Sequence, residues 1–173
     1  IPPEFIQVIP KTDIHLHLDR SLRLSTLIDL AREQKVALPS MTEEGLRETV
    51  FKDSCRGLPD YLAGFAYTCA VMQDADSLER IAYELAADNL AEGVRYIEVR
   101  FAPQLHIRRK FQARDVVGAV CRGLQRAKME HNKTPEVAGG EDIPFEFGII
   151  LCALRFFNAN MSDYYRSLYG VMS

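Results

Sequence analysis

The segment TDIHLHL, residues 12–18, alternates polar and apolar side chains, which is typical of a half-buried β-strand. Because side chains alternate along a strand, His15 and His17 are expected on one side, and Leu16 and Leu18 on the other, beneath a covering helix. Two imidazoles one pleat apart can bind the same divalent cation. The segment is therefore interpreted as the first strand and as a candidate metal site. The alternative is that the histidines are hydrogen-bonded residues of a polar core.

The rest of the chain alternates helical and strand patterns, which predicts βαβ units and a parallel sheet. Further strands are predicted over 94–103 and 145–156, and the apolar character of the latter indicates cover on both faces. A closed eightfold barrel needs roughly 250 residues. If the predicted α/β fold is a (β/α)8 barrel, this chain forms only part of it, the first three strands with intervening helices. Helices are predicted over 24–36, 40–51, 76–93, 113–132 and 161–172, with another after Pro59 and a loop over 136–145.

Composition is that of a globular domain, with 47% hydrophobic and 26% charged residues. A net charge of -3 gives no strong attraction to nucleic acid or to an anionic membrane. No apolar run approaches the roughly 20 residues that cross a bilayer, and the first residues lack the pattern of a signal peptide. The four cysteines, without a C-x-x-C pair, are expected to be reduced, mostly buried thiols of a cytoplasmic protein. They are Cys55, Cys69, Cys121 and Cys152.

The other two histidines are weak candidates for further metal ligands. His106 follows the second predicted strand and His131 ends a helix, so we expect both at the surface. Cys152 is expected to be a buried, inert thiol. A catalytic zinc usually has three protein ligands and a water molecule. The missing ligands should therefore come from chain outside this sequence.

Several stretches carry a family resemblance. KTDIHLHLDRSL (11–22) resembles the first-strand signature of adenosine deaminase and its relatives in the metal-dependent amidohydrolase superfamily. LPDYLAGFAY (58–67) is similar to the family's Leu-Pro segment with two aromatic residues four apart. RIAYELAADNLAEGVRYIEVRFAP (80–103) is similar to its helix and second strand, and GIILCALR (148–155) fits the third strand. These stretches occur in one order with compatible spacing.

The resemblance implies an eight-stranded α/β barrel with one catalytic zinc ion, Zn2+, and hydrolytic deamination of a purine nucleoside such as adenosine. It implies that His15 and His17 are zinc ligands. Asp19 matches the acidic residue that contacts the sugar hydroxyl. Four further positions match an apolar lid over the nucleoside and share one helical face, for which ordinary core packing is the alternative. They are Leu58, Tyr61, Leu62 and Phe65.

Two departures from the family pattern limit these expectations. Position 20 is Arg where the family has Gly, so the substrate could carry a phosphate, this copy could be altered, or the side chain could turn to solvent. The family's third zinc histidine, its His-Ala-Gly-Glu stretch and its later catalytic residues lie beyond the third strand. We therefore interpret residues 1–173 as the N-terminal half of a single barrel domain, inactive alone and without catalytic residues. The missing half would come in cis or from another chain.

Two other hypotheses remain open from the sequence. One is another H-x-H barrel hydrolase of the phosphoesterase type, which would bind several metals. The other is a truncated, non-catalytic homologue that only binds a ligand. Glu98 and Arg100 are expected to form a structural ion pair near the barrel wall, with Arg155 in a similar role. In the leading hypothesis the partner is a small-molecule purine nucleoside, with no nucleic acid and no membrane.

Overall fold

The computed structural model describes residues 2–52, 58–108 and 110–153, without the side chains of residues 7, 8 and 58–63. In this part of the chain helices are joined to one three-stranded parallel sheet. The elements in chain order are α1 (Pro3–Val8), β1 (Lys11–His17), α2 (Leu24–Gln34), α3 (Glu43–Thr49), α4 (Leu58–Val71), α5 (Ala75–Ala91), β2 (Val94–Phe101), α6 (Ala113–Asn132), α7 (Pro135–Ala138) and β3 (Glu146–Leu151). Short 3-10 turns follow β1 (Leu18–Arg20) and β2 (Pro103–Leu105).

The sheet has the strand order β1-β2-β3, and both pairings are parallel. Residues 96–101 of β2 pair in unbroken register with residues 146–151 of β3. The amide of Cys152 extends this ladder by donating to the Phe101 carbonyl, 2.9 Å away. All carboxyl ends of the strands therefore lie at one edge of the sheet. This arrangement confirms the predicted fold class, the first three strands of a barrel with their helices.

One face of strand β2 is covered by helices, and the opposite face is open. Ile97 and Val99 are fully buried and belong to the core cluster that α5 and α6 complete. Tyr96, Glu98 and Arg100 alternate with them and so point to the opposite face. In a closed barrel this opposite face would line the interior. The described residues thus place polar side chains where a barrel would hold its site.

Helix ends follow the local signals in the sequence. The predicted helix 40–51 is shorter than expected because Thr42 is its N-cap, with Oγ1 accepting the amide of Gly45. Asp74 caps α5 by accepting the amide of Ser77. Gly93 follows α5 with a φ of 82°, which glycine adopts without steric cost. Gly93 thus ends this helical segment directly before β2 begins at Val94.

Some sequence predictions need correction, and others fall on residues outside the described part of the structure. The predicted loop 136–145 begins with the short helix α7. The predicted helix 161–172, Arg155 and Cys55 lie outside the described residues. Cys69, Cys121 and Cys152 are free thiols, but Cys121 is exposed, and Cys69 and Cys152 are half-buried rather than buried. Within the described ranges, no helix is long and apolar enough to cross a bilayer.

Candidate metal and substrate site

The two imidazoles of the first strand lie side by side. The ring centroids of His15 and His17 are 5.2 Å apart, with an angle of 48° between the ring planes. Both residues are exposed, at the carboxyl end of β1. The sequence prediction that they share one side of the strand is therefore confirmed. Neither ring is packed dry among aliphatic side chains.

An irregularity in the β1–β2 ladder lies directly at these histidines. Asp13 pairs with Ile97 but Leu16 pairs with Val99, so β1 uses one residue more than β2 over this interval. Such a bulge bends the strand and turns a side chain, and bulges are frequent beside active sites. The Asp13 carboxylate stabilises the bulge by accepting the amide of His15 at 3.1 Å. The period of two in the sequence gives no sign of this extra residue.

Arg100 lies against the first histidine from the neighbouring strand. Its Nη1 atom is 3.1 Å from His15 Nε2 and 3.3 Å from His15 Nδ1, and its Nη2 donates to Cys152 Sγ at 3.6 Å. A guanidinium can only donate, so the contacted imidazole nitrogen offers its lone pair. That lone pair can accept from Arg100 or bind a cation, but cannot do both at once.

The predicted ion pair between Glu98 and Arg100 is wrong. Glu98 and Arg100 share a face of the strand, two positions apart, but each contacts a different side chain instead. Glu98 accepts a hydrogen bond of 3.0 Å from the Tyr96 hydroxyl, whereas Arg100 contacts His15 and Cys152. Among the described residues, no carboxylate forms a salt bridge with Arg100. Its positive charge therefore faces the open side of the sheet.

The electrostatic environment favours the neutral form of His17. Partial burial, followed by the nearby side chains of Arg100, His15 and Arg20, lowers the pKa of the His17 imidazole below its ordinary value. A neutral imidazole is the form that binds a metal ion, because the proton and the metal compete for the same lone pair. The second histidine is thus prepared as a ligand at neutral pH.

Asp19 is buried in the 3-10 turn that follows β1. Only 4% of the residue is exposed, and burial raises the pKa of its carboxyl group to about 6, although its own backbone amide and Arg20 lower it. Its Oδ1 atom has no hydrogen-bond partner among the described residues. His17 Nδ1 lies 3.9 Å from this oxygen, beyond hydrogen-bond distance. A buried acceptor without a partner is costly unless a ligand or further chain supplies a donor.

Helix α4 contacts this turn from above the strand end. Burial, and then the negative charge of Asp19, raises the pKa of the Cys69 thiol to about 12, so this cysteine is not a nucleophile at neutral pH. Phe65 is half-buried one turn earlier on α4. Leu58, Tyr61 and Leu62 belong to the same helix, but their side chains lie outside the described part of the structure.

The prediction of surface positions for the remaining histidines is wrong. His106 is fully buried, and its Nδ1 atom lies 3.0 Å from the carbonyl oxygen of Met72. The side chain of His131 is only 13% exposed and its Nε2 lies 3.1 Å from the Ile143 carbonyl. The apolar residues Leu105 and Ile107 flank His106, which is a sequence indication of burial. Its hydrogen-bond partner, the Met72 carbonyl, is 34 positions away and is not visible in the sequence pattern.

The donor set fits part of a zinc site. Imidazole nitrogens are common zinc ligands, and the two rings stand on one side of the strand. Across the described part of the chain, no three His, Cys, Asp or Glu side chains are grouped so that they could hold a metal ion. His15 and His17 could therefore provide two ligands, and further ligands would have to come from elsewhere.

Known proteins resemble this chain along most of its length. The family model for adenosine deaminase matches residues 10–163. A probable adenosine deaminase from Dictyostelium discoideum is 38% identical over 160 residues, which are 92% of this chain and 19% of the relative. An adenosine deaminase from Shewanella pealeana is 42% identical over 72% of this chain and 38% of its own length. One from Clostridium botulinum is 36% identical over 86% of this chain and 46% of its own length. The chain thus spans less than half the length of these relatives.

Solved structures show the same fold at lower identity. An adenine deaminase from Arthrobacter aurescens superposes with a TM-score of 0.68 at 22% identity, covering 95% of this chain and 46% of that structure. The N6-methyl-AMP deaminase from Arabidopsis thaliana gives a TM-score of 0.60 at 23% identity, over 98% and 56%. A zinc-bound amidohydrolase from Burkholderia ambifaria gives 0.57 at 19% identity, over 95% and 50%. Together with the family match over residues 10–163, the fold and the sequence agree, and the chain belongs to the adenosine deaminase family.

Proposed function

We propose that the full-length protein is a zinc-dependent hydrolase that removes the amino group from a purine nucleoside such as adenosine, giving ammonia and the 6-oxo purine. One observation carries this proposal. Two exposed imidazoles stand with their centroids 5.2 Å apart at the carboxyl end of a parallel strand. This is the end at which α/β barrels place their chemistry. Membership in a family of deaminases supplies the reaction class.

His15 and His17 would hold the zinc ion, each through one ring nitrogen. Bound there, zinc supplies a Lewis acid that lowers the pKa of water, so that hydroxide is available at neutral pH for attack on the amino-bearing carbon. The lowered pKa of His17 keeps its lone pair available for the ion. Arg100 and the zinc ion would need the lone pair of the same His15 ring nitrogen, so Arg100 would lose its contact with His15 when zinc binds. None of residues 1–173 is proposed as a catalytic residue, so this segment alone is expected to be inactive.

Asp19 would orient the nucleoside. Its buried Oδ1 atom, without a partner among the described residues, can accept a hydrogen bond from a sugar hydroxyl. Phe65 on α4, together with Leu58, Tyr61 and Leu62, would cover the purine. Apolar side chains over the base exclude water, which strengthens the polar interactions beneath them. The remaining zinc ligands and the proton-transfer groups would come from the second half of the barrel, in cis or from another chain.

Ammonia release by the full-length protein tests this proposal, with Asp19→Ala as the diagnostic variant. The unsubstituted protein should release ammonia from adenosine. Asp19→Ala should lower kcat/KM for adenosine by about tenfold, the effect of losing one hydrogen bond to a charged acceptor. It should leave turnover of free adenine unchanged, because adenine has no sugar. Parallel losses on both substrates would assign Asp19 a structural role, and no ammonia from any amino-purine would refute the proposal.

A nucleoside monophosphate is a second candidate substrate, and the position of Arg20 favours it. Arg20 ends the 3-10 turn after β1, and its positive charge acts on both Asp19 and His17. A guanidinium beside the sugar-binding carboxylate could contact a phosphate on that sugar. Comparing AMP with adenosine separates the candidates. If AMP is the substrate, Arg20→Gly should lower kcat/KM for AMP and spare adenosine, whereas equal effects would exclude a phosphate contact.

A further inference from the structure

The carboxyl end of α4 is held by side chains from other parts of the chain. The last carbonyls of a helix have no partner within the helix and must find donors elsewhere. In α4 and the residue after it, three carbonyls accept side-chain donors, although the Cys69 carbonyl also accepts the amide of Met72. Gln73 Nε2 donates to Cys69 at 2.7 Å, Gln34 Nε2 to Val71 at 2.9 Å and His106 Nδ1 to Met72 at 3.0 Å.

Two of these donors form a reciprocal clamp between α4 and the carboxyl end of β2. His106, in the segment after β2, donates to the backbone of Met72. Gln73, next to Met72, donates in the other direction, to the backbone carbonyl of Leu105 at 3.0 Å. Each segment thus binds the backbone of the other through one side chain. We name this pair of contacts, His106 to Met72 and Gln73 to Leu105, the α4–β2 clamp.

The histidine half of the clamp is buried and its ring is uncharged, whereas Gln73 and Leu105 are half-buried. His106 and Met72 are both fully buried, and the His106 ring lies 6.3 Å from the ring of Phe101, the last residue of β2. Burial lowers the pKa of His106 to about 4. Since a carbonyl can only accept, the proton of the neutral ring must be on Nδ1. A buried hydrogen bond of this kind cannot be replaced by water without opening the contact.

We propose that His106 and Gln73 are positioning residues that hold α4, and with it Phe65, at a fixed height above the carboxyl end of β2. This inference rests on the proposed function, in which Phe65 covers the purine. Phe65 precedes Met72 by seven residues, about 10 Å along a helix axis. Over so short a distance a helix moves as a rigid body. Loosening its carboxyl end would therefore displace Phe65 relative to His15, His17 and the substrate between them.

Substitutions in the full-length protein test this assignment. His106→Leu keeps an apolar volume but removes the donor, and Gln73→Met does the same at the other half of the clamp. Each should raise KM for adenosine about fivefold, with kcat changed less, as expected for the loss of one hydrogen bond that positions a binding group. His106→Asn should restore KM, because its amide donor can take the place of Nδ1–H.

A double-mutant cycle separates positioning from general stability. If His106 acts through Phe65, His106→Leu should have no further effect on KM in a Phe65→Ala background. Asn132→Ala is the matched control, because Asn132 makes a similar two-way contact with the backbone of Phe145 at the other end of the sheet. It should lower stability without changing KM.

The outcomes distinguish the clamp from the proposed function. An active protein in which His106→Leu keeps the KM of the unsubstituted protein would overturn the positioning role alone. Additive effects of His106→Leu and Phe65→Ala would do the same. A full-length protein that deaminates no purine nucleoside would overturn the proposed function and this assignment together.

Discussion

Replacing Gly123 by alanine should destabilise the packing of α5 against α6. A Cβ atom at this position would lie 2.2 Å from the carbonyl oxygen of Glu79, and 2.9 Å from both the Ala82 Cβ and the Tyr83 nitrogen. Two of these neighbours are backbone atoms of α5, which cannot rotate away. The helices would have to separate by about 1 Å to restore ordinary contact distances near 3.5 Å.

The expected cost follows from two opposing terms. Overpacking a close contact costs about 1–3 kcal/mol, and rigid backbone neighbours place Gly123→Ala near the upper end. Alanine gains about 1 kcal/mol over glycine in helix propensity. The net loss is therefore about 2 kcal/mol. With an m-value of about 2 kcal/mol/M, the urea midpoint should fall by about 1 M.

Gly118→Ala is the control on the same helix. A Cβ there would meet only the Nη1 atom of Arg122 at 3.6 Å, at the end of a flexible side chain. Helix propensity then dominates, and the variant should gain about 0.5–1 kcal/mol. The two variants should change the free energy of unfolding in opposite directions, which urea unfolding of the full-length protein measures. Equal midpoints for Gly118→Ala and Gly123→Ala would refute the close approach of α5 and α6.

The remaining predictions concern acid stability and an ion pair. The folded-state pKa of His106, about 4, lies below its ordinary value of 6.5, so the unfolded chain binds more protons between these values. The contribution of His106 to stability is therefore complete above pH 6.5 and is lost as pH falls towards 4, by about 3 kcal/mol. Between pH 7 and pH 4.5, the urea midpoint should fall less for His106→Asn than for the unsubstituted protein. An equal fall would contradict the buried neutral ring. Arg95 donates to both carboxylate oxygens of Asp142, at 2.9 and 2.8 Å, so Arg95→Lys should cost about 1 kcal/mol in urea unfolding, and an unchanged midpoint would show that charge alone suffices.

Much of the fold was predictable because its signals are local. The alternation in TDIHLHL and the apolar stripes of α2, α5 and α6 are periodic patterns that each element imposes on its own sequence. Helix 113–132 was predicted with the bounds that the structure shows. The shared side of His15 and His17 follows from the same period, and their partial exposure from a position at a strand end.

The rest of the site depends on contacts between distant segments. The bulge in β1 becomes visible only when β1 is aligned with β2. The contact between Arg100 and His15 likewise requires the register of the parallel ladder, in which Arg100 stands opposite His17. His106 is buried because the end of α4 presents a carbonyl without a helical partner. Sequence periodicity describes one element at a time and contains none of these relationships.

The zinc content of the full-length protein, measured after dialysis against a weak chelator, shows whether His15 and His17 bind the ion. We expect one zinc ion per chain in the unsubstituted protein and loss of stoichiometric zinc in both His15→Asn and His17→Asn. His131→Asn is the control, because His131 contacts the Ile143 carbonyl near the amino end of β3, away from the carboxyl ends of the strands, and this variant should keep its zinc. Full zinc content in His15→Asn or His17→Asn would contradict the assignment of these histidines as zinc ligands, as would an unsubstituted protein that binds no zinc.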